Sequence, residues 1–234
     1  MQQVVDQPIG RIHQIFTGRV AALGPRGVLS GIDKQPVSGA VHVGPVGLLG
    51  DEQADTKSHG GPEKAVHCYS LERYSQWLAQ YPEHSIFEKA GAFGENFSVQ
   101  GMDESTICMG DIWRIGNAIF QISQGRQPCF KLNLRFGIPD MARRVQDSLW
   151  AGWYLRVLEP GQVQAGQHIY LVRRPYPAYS VAYVLSLIRD RVTDPATLSG
   201  VLQLPLPESW HRLFTGRLRS GAIEDWSRRL EGQS

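Results

Sequence analysis

The stretch Met109-Gly110-Asp111-Ile112-Trp113-Arg114-Ile115-Gly116-Asn117-Ala118-Ile119-Phe120-Gln121-Ile122-Ser123 decides the fold. Apolar and polar residues alternate on both sides of Gly116-Asn117, and a period of two marks half-buried strands. Two such arms joined by a Gly-Asn turn read as a β-hairpin. The second arm runs straight into Gln124-Gly125-Arg126-Gln127-Pro128-Cys129-Phe130-Lys131. Gly125 and Pro128 end the strand and hold a turn. Cys129 stands in that turn between Arg126 and Lys131. Nearby cations favour a thiolate over a thiol, so Cys129 is a candidate soft-metal ligand or nucleophile. Cysteine is equally at home as a small, inert core residue, and flanking charge alone does not choose between the two.

Working outward, residues 9–23 alternate over part of their length and read as a first strand, and Val41 to Val46 as another with a kink at Gly44-Pro45. Ala65 to Tyr69 reads as a buried strand, with Cys68 in the core and His67 turned towards solvent. Ser70 is placed to cap a helix from Leu71 to Tyr81, whose Tyr74, Trp77, Leu78 and Tyr81 form a core-facing stripe. A second helix is expected over 139–149, and strands over 152–158 and 167–172; His168 on the last is read as structural. Some eight or more short strands with few helices make residues 1–175 a mainly β domain, a closed or nearly closed β-barrel. After Pro175-Tyr176-Pro177 the strand pattern stops. Val181, Val184, Leu185 and Ile188 share a helical face, as do Trp210, Leu213, Phe214 and Leu218, with a short last face at Ile223, Trp226 and Leu230. Residues 176–234 are therefore expected to be a small all-α, three-helix C-terminal module. Its seven Arg against six acidic residues speak against a DNA-reading helix-turn-helix and for a docking or dimerising unit, which makes a homodimer possible.

Whole-chain composition narrows the function. The 234 residues carry 24 Lys and Arg against 22 Asp and Glu, a net charge of +2, with the signs interspersed. Such a balance gives no electrostatic case for binding nucleic acid or membranes. Three cysteines without a CxxC pair argue against a disulfide scaffold and a four-cysteine zinc site. The N-terminus lacks the basic start and apolar core of a signal peptide, and no apolar run reaches membrane-spanning length. A cytoplasmic location is expected.

Three polar stretches lie between the strands. Ser30-Gly31-Ile32-Asp33-Lys34 offers a hydroxyl, flexible backbone and a cation, as an anion-holding loop or a plain solvated connector. Asp51 to Lys64 is dense in Asp, His, Gly and Lys. Asp51, Asp55 and His59 would share one helical face, but Gly60-Gly61-Pro62 opposes a helix there. Phe93-Gly94-Glu95-Asn96 reads as a hairpin turn or as an amide and a carboxylate at a pocket rim.

Taken in order, Gly50-Asp51-Glu52-Gln53-Ala54-Asp55, His59-Gly60-Gly61-Pro62-Glu63-Lys64-Ala65-Val66, Phe93-Gly94-Glu95-Asn96 and Arg126-Gln127-Pro128-Cys129-Phe130-Lys131 resemble the MOSC domain superfamily and, within it, the YiiM family. The likeness covers about residues 8–175, and the helical tail is similar to the three-helix module that follows the domain in that family. Ser30 stands where the family's Thr-Gly-Ile-x-Lys pattern has Thr, which keeps the hydroxyl. The resemblance implies a MOSC-type β-barrel that binds molybdenum cofactor, a pterin-dithiolene with a phosphate. In the related amidoxime-reducing enzymes one protein cysteine completes the molybdenum coordination, and the matching residue here is Cys129. The implied reaction is reductive cleavage of the N–O bond of N-hydroxylated bases such as 6-hydroxylaminopurine, which detoxifies base analogues.

On that footing Ser30, Lys34, Gly60, Lys64, Arg126 and Lys131 are candidates for holding the cofactor, and Asn96 and His59 for hydrogen-bonding pterin or substrate. Asp55 or Glu95 would supply the proton for the leaving oxygen. With no flavin, haem or iron–sulfur motif, electrons would come from a separate reductase. Two other classes share the same residues: a sulfur carrier with a Cys129 persulfide, and a non-catalytic pterin-binding module.

Overall fold

The computed structural model describes residues 7–55 and 60–232. The strands are β1 (Pro8–Thr17), β2 (Ala21–Leu23), β3 (Val28–Ser30), β4 (Gln35–Val37), β5 (Ala40–Gly44), β6 (Gly47–Leu48), β7 (Val66–Ser70), β8 (Phe97–Gln100), β9 (Ile112–Ile115), β10 (Ala118–Gly125), β11 (Trp153–Glu159), β12 (Gly161–Gln164) and β13 (His168–Arg173). The helices are α1 (Glu72–Gln80), α2 (Lys131–Phe136), α3 (Met141–Ser148), α4 (Val181–Arg189), α5 (Pro195–Val201), α6 (Glu208–Ser220) and α7 (Ser227–Glu231).

Seven strands form a closed barrel in the order β13-β9-β10-β11-β7-β8-β1, and β1 returns to pair with β13. Closure removes the free edges that an open sheet would leave. All the barrel pairs are antiparallel except β7 with β8, which run parallel with Cys68 beside Phe97. The deciding hairpin forms as expected, with Ala118 opposite Ile115 and Phe120 opposite Trp113. Its alternation places Trp113, Ile115, Phe120 and Ile122 in the core with no exposed surface. Each such side chain is worth roughly 1.5–3 kcal/mol of burial.

The structure corrects several local expectations. The first strand does not run from 9 to 23. It leaves the barrel after Thr17, where the Gly18 amide donates to the Asp51 carboxylate at 2.9 Å, and β2 then pairs with β3. The Val41–Val46 stretch is part of a hairpin, β5 with β6, because Gly44-Pro45 turns the chain. Ser70 does not cap α1; its hydroxyl donates to the Glu72 side chain at 2.8 Å and Leu71 holds the cap position. His67 faces inward, 4% exposed, because its strand is covered on both faces.

Beyond β13 the chain is helical. Ser180 and Asp194 cap α4 and α5 by accepting from the amides of Tyr183 and Thr197. The short last helix is α7. Barrel and tail share one apolar cluster, in which Val181, Val184, Trp210 and Phe214 are as buried as the barrel residues. Among the described residues no helix is long and apolar enough to cross a membrane.

Candidate functional site

The cysteine turn is set by close packing at the end of β10. A Cβ on Gly125 would lie 2.7 Å from Leu185 Cγ of α4, so only glycine lets that helix approach. The next residue, Arg126, is 7% exposed and its amide donates to Gly152 O at 2.9 Å. Cys129 follows just before α2 and is partly exposed. The Cys129 carbonyl accepts from Leu132 N, so the turn passes directly into the helix.

Cys129 lies on the wall shared by two neighbouring hollows. The inner one, of about 600 Å³ counting its open mouth, is walled by the barrel loops, with Ser30, Lys34, Asp51, His67, Asn96 and Arg126 among its lining. The outer one, of about 1600 Å³ on the same basis, lies between the cysteine turn and the helical tail, with Asp55, Gln124, Ser209, Arg212, Arg228 and Arg229 among its lining. Cys129, Lys64, Lys131 and Tyr154 line both.

The two shared lysines are placed by bonded supports. Lys64 ends a short helical turn, Pro62–Lys64, fixed by two bonds to Glu63: Ser123 Oγ donates to its carbonyl at 2.6 Å and Arg156 to its carboxylate at 2.5 Å. Burial lowers the Lys64 pKa, opposed by its nearness to Asp55 and Cys129. Its ammonium lies 5.9 Å from the centre of the Tyr154 ring. Burial raises the Tyr154 phenol's pKa, and Arg126 beside it pulls the other way. Lys131 Nζ donates to Leu29 O at 2.9 Å, which ties α2 to the loop of Ser30.

The inner wall is a bonded network. Lys34 pairs with Asp51, the side chains 7% and 1% exposed. Asp51 also accepts from Asn96 Nδ2 at 2.9 Å. Asn96 gives its other amide hydrogen to Phe16 O at 3.2 Å and accepts from His67 N at 3.0 Å. Burial and the charge of Arg126 push the His67 pKa well down, so the ring is neutral. Ser30 Oγ accepts from Ile32 N at 3.3 Å. Gly94, at φ 73°, lets this loop come close: a Cβ there would stand 2.7 Å from Ile32 Cγ1. Two polar nitrogens in the wall, His67 Nε2 and Arg126 Nη1, are buried and make no hydrogen bond with the described residues.

The structure thus gathers Ser30, Lys34, Lys64, Asn96, Arg126, Cys129 and Lys131 around the inner hollow, and sets Asp55 on the outer one. Two candidate roles are corrected. Glu95 is wholly buried and faces away from both hollows, accepting from Tyr74 OH at 2.5 Å and Gly91 N at 2.7 Å. It is a structural carboxyl and not a proton donor at the site. Asn96 reaches the inner hollow, but both its amide hydrogens are taken up by Asp51 and Phe16, so it fixes the wall. Gly60 lines neither hollow, and His59 lies outside the described residues.

The sequence reading missed Asp51, Tyr154 and the tail arginines. Asp51 sits inside a quoted motif, and a buried acid was needed opposite Lys34. Tyr154 and Arg229 carry no local signal, since only the fold brings them to Cys129. Among the described residues no three His, Cys, Asp or Glu side chains gather to hold a bare metal ion. A metal on Cys129 would therefore bring its other ligands with it.

Comparison with known proteins agrees with this architecture. Residues 55–170 match the MOSC domain model. The chain is 40% identical to Protein YiiM of Escherichia coli over 94% of its own length and 97% of that protein. It is 38% identical to a protein of Gibberella moniliformis named Reductase, over 90% of this chain but only 38% of that longer protein. Among solved structures, YiiM from E. coli superposes with a TM-score of 0.77 at 36% identity, covering 91% of this chain and 98% of that one. YiiM from Geobacillus stearothermophilus gives 0.76 at 33%, covering 89% and 99%. With identity sustained across barrel and tail alike, the chain belongs to the YiiM family of MOSC-domain proteins.

Proposed function

We propose that this protein is a molybdenum-cofactor-dependent reductase of N-hydroxylated compounds, with N-hydroxylated purine bases such as 6-hydroxylaminopurine as its substrate class. The observation that carries this reading is the placement of Cys129 where two hollows meet, flanked by Lys64 and Lys131, with the unused Arg126 donor in the inner wall. The residues fit the group. A soft thiolate suits molybdenum. A buried guanidinium nitrogen lacking an acceptor is costly, and a phosphate or a pterin carbonyl would meet it. Family membership and the name Reductase of the fungal relative support the same class.

Cys129 would hold the metal, and Arg126, Lys64 and Lys131 would balance the charge of dithiolene and phosphate, with Ser30 at the rim. When bound, the cofactor supplies the two electrons that convert an N-hydroxyl compound and two protons into an amine and water. The outer hollow receives the substrate. Asp55 and Lys64 are the protein groups suited to hand a proton to the departing oxygen, and the lowered pKa of Lys64 makes its proton easier to release. Lys34 acts through Asp51 and holds the wall. The electrons would come from a separate reductase, as the sequence carries no flavin, haem or iron–sulfur motif.

The test is metal content and turnover. Wild type purified from a host that makes the cofactor should carry molybdenum and reduce 6-hydroxylaminopurine with a supplied electron donor. Cys129→Ala from the same host, and wild type from a host lacking the cofactor, should do neither. Absence of molybdenum from every sample, with a control molybdoenzyme loaded in the same cells, rejects the reading.

A further inference from the structure

We propose that Arg229 of the tail is a positioning residue for Cys129, so that α7 is a working part of the site. The Arg229 carbonyl accepts from Phe130 N at 2.7 Å, and its guanidinium donates to Pro128 O at 2.7 Å. Those two groups belong to the peptide planes on either side of the Cys129 Cα. Peptide planes are rigid, so fixing both fixes the direction of the Cα–Cβ bond and leaves the thiol only its own side-chain torsion. One residue therefore brackets the cysteine.

The bracket is itself anchored. The second guanidinium nitrogen donates to Gln146 Oε1 of α3 at 2.6 Å. Asn133 Nδ2 of α2 donates to Leu230 O at 2.9 Å, and its Oδ1 accepts from Ala142 N at 2.7 Å. Gly232 packs on the Phe130 ring, where a Cβ would stand 2.6 Å from Cγ. The half-buried Arg229 guanidinium keeps its place through these donated bonds. That Cys129 meets a cofactor metal rests on the function proposed above; the bracketing of the thiol does not.

The test uses cofactor-free protein: wild type, R229Q and R229K. Alkylation of Cys129 by iodoacetamide is followed by peptide mass at a pH where the thiol is fully ionised, so that the rate reads access to the sulfur. Cys68 and Cys108, 0% and 4% exposed, report any general opening. R229Q should react about fivefold faster at Cys129 alone, the effect of losing roughly one net hydrogen bond, with R229K in between. Equal rates in all three overturn the proposal. Should R229Q also expose Cys68 or Cys108, Gln146→Ala carries the test: it removes only the anchor, and an unchanged Cys129 rate there overturns the proposal. In loaded protein, R229Q should lower kcat more than it changes KM, and R229K should restore part of the loss. Wild type without molybdenum would reject the cofactor reading while leaving the alkylation result in force.

Discussion

The two hollows that meet at Cys129 are built differently. The inner wall comes from barrel loops, and its polar residues are bound to one another: Lys34 to Asp51, Asp51 to Asn96, Asn96 to the His67 backbone and to Phe16. The outer wall comes from α6 and α7, where Arg228 is exposed and Arg212 makes an exposed ion pair with Glu208. A wall whose groups satisfy each other is preorganised and presents few loose donors, which suits a resident group held for many turnovers. Solvated cations such as Arg212 and Arg228 can rearrange for ligands that come and go, while Arg229 beside them stays fixed by its bonds to Pro128 and Gln146. The thiol at the border belongs to both.

That contrast can be broken at several points. The largest effect is expected at the border: Cys129→Ala should reduce N–O reductase turnover to background while the thermal melt stays near wild type, and retained turnover in a cofactor-loaded variant would remove the thiol from the reaction. The inner wall comes next. Asp51→Ala leaves Lys34 enclosed without its acid, and stranding a buried charge costs about 3–5 kcal/mol, measurable by urea unfolding. A change below about 1 kcal/mol would mean that the network is looser than its bonds indicate.

A third test uses pH. His67 has its pKa pushed down from the ordinary 6.5, first by burial and then by Arg126. The unfolded chain therefore binds a proton that the folded chain refuses, so stability is full above about pH 6.5 and declines as pH falls below it. His67→Gln should flatten that decline in urea titrations run across this range; an unchanged slope would assign the acid sensitivity elsewhere. The smallest effects belong to the outer wall. Arg212→Ala should leave stability within about 0.5 kcal/mol of wild type. Arg228→Ala should do the same and move KM by only a few-fold, consistent with exposed charge in high dielectric. A large stability loss in either would show that the outer wall is bound up as tightly as the inner.

Much of this was legible in the sequence for a physical reason. Alternation around Gly116-Asn117 is a local signal, and it led to the barrel hairpin and on to Cys129. Charged and glycine-rich loops are also local, and the cations Lys64, Arg126 and Lys131 were found that way. What stayed hidden depends on distant partners. Glu95 reads as a rim carboxylate until Tyr74 is seen bonded to it. His67 reads as solvent-facing because one-sided alternation was assumed for a strand covered on both faces. The tail reads as a separable docking unit because nothing within residues 226–232 announces that its target is this chain's own cysteine turn.

The pairing of Arg229 with Pro128 spans 101 positions, and β1 must find β13 to close the barrel. Contacts so far apart in sequence form late, after much loop entropy has been lost. On the ribosome the cysteine turn emerges long before the residue that brackets it. Every barrel strand precedes α7 in the chain, so most of the barrel can form before Arg229 reaches the cysteine turn. Products that stop short of Arg229 would thus carry a recognisable barrel with the cysteine turn unbracketed.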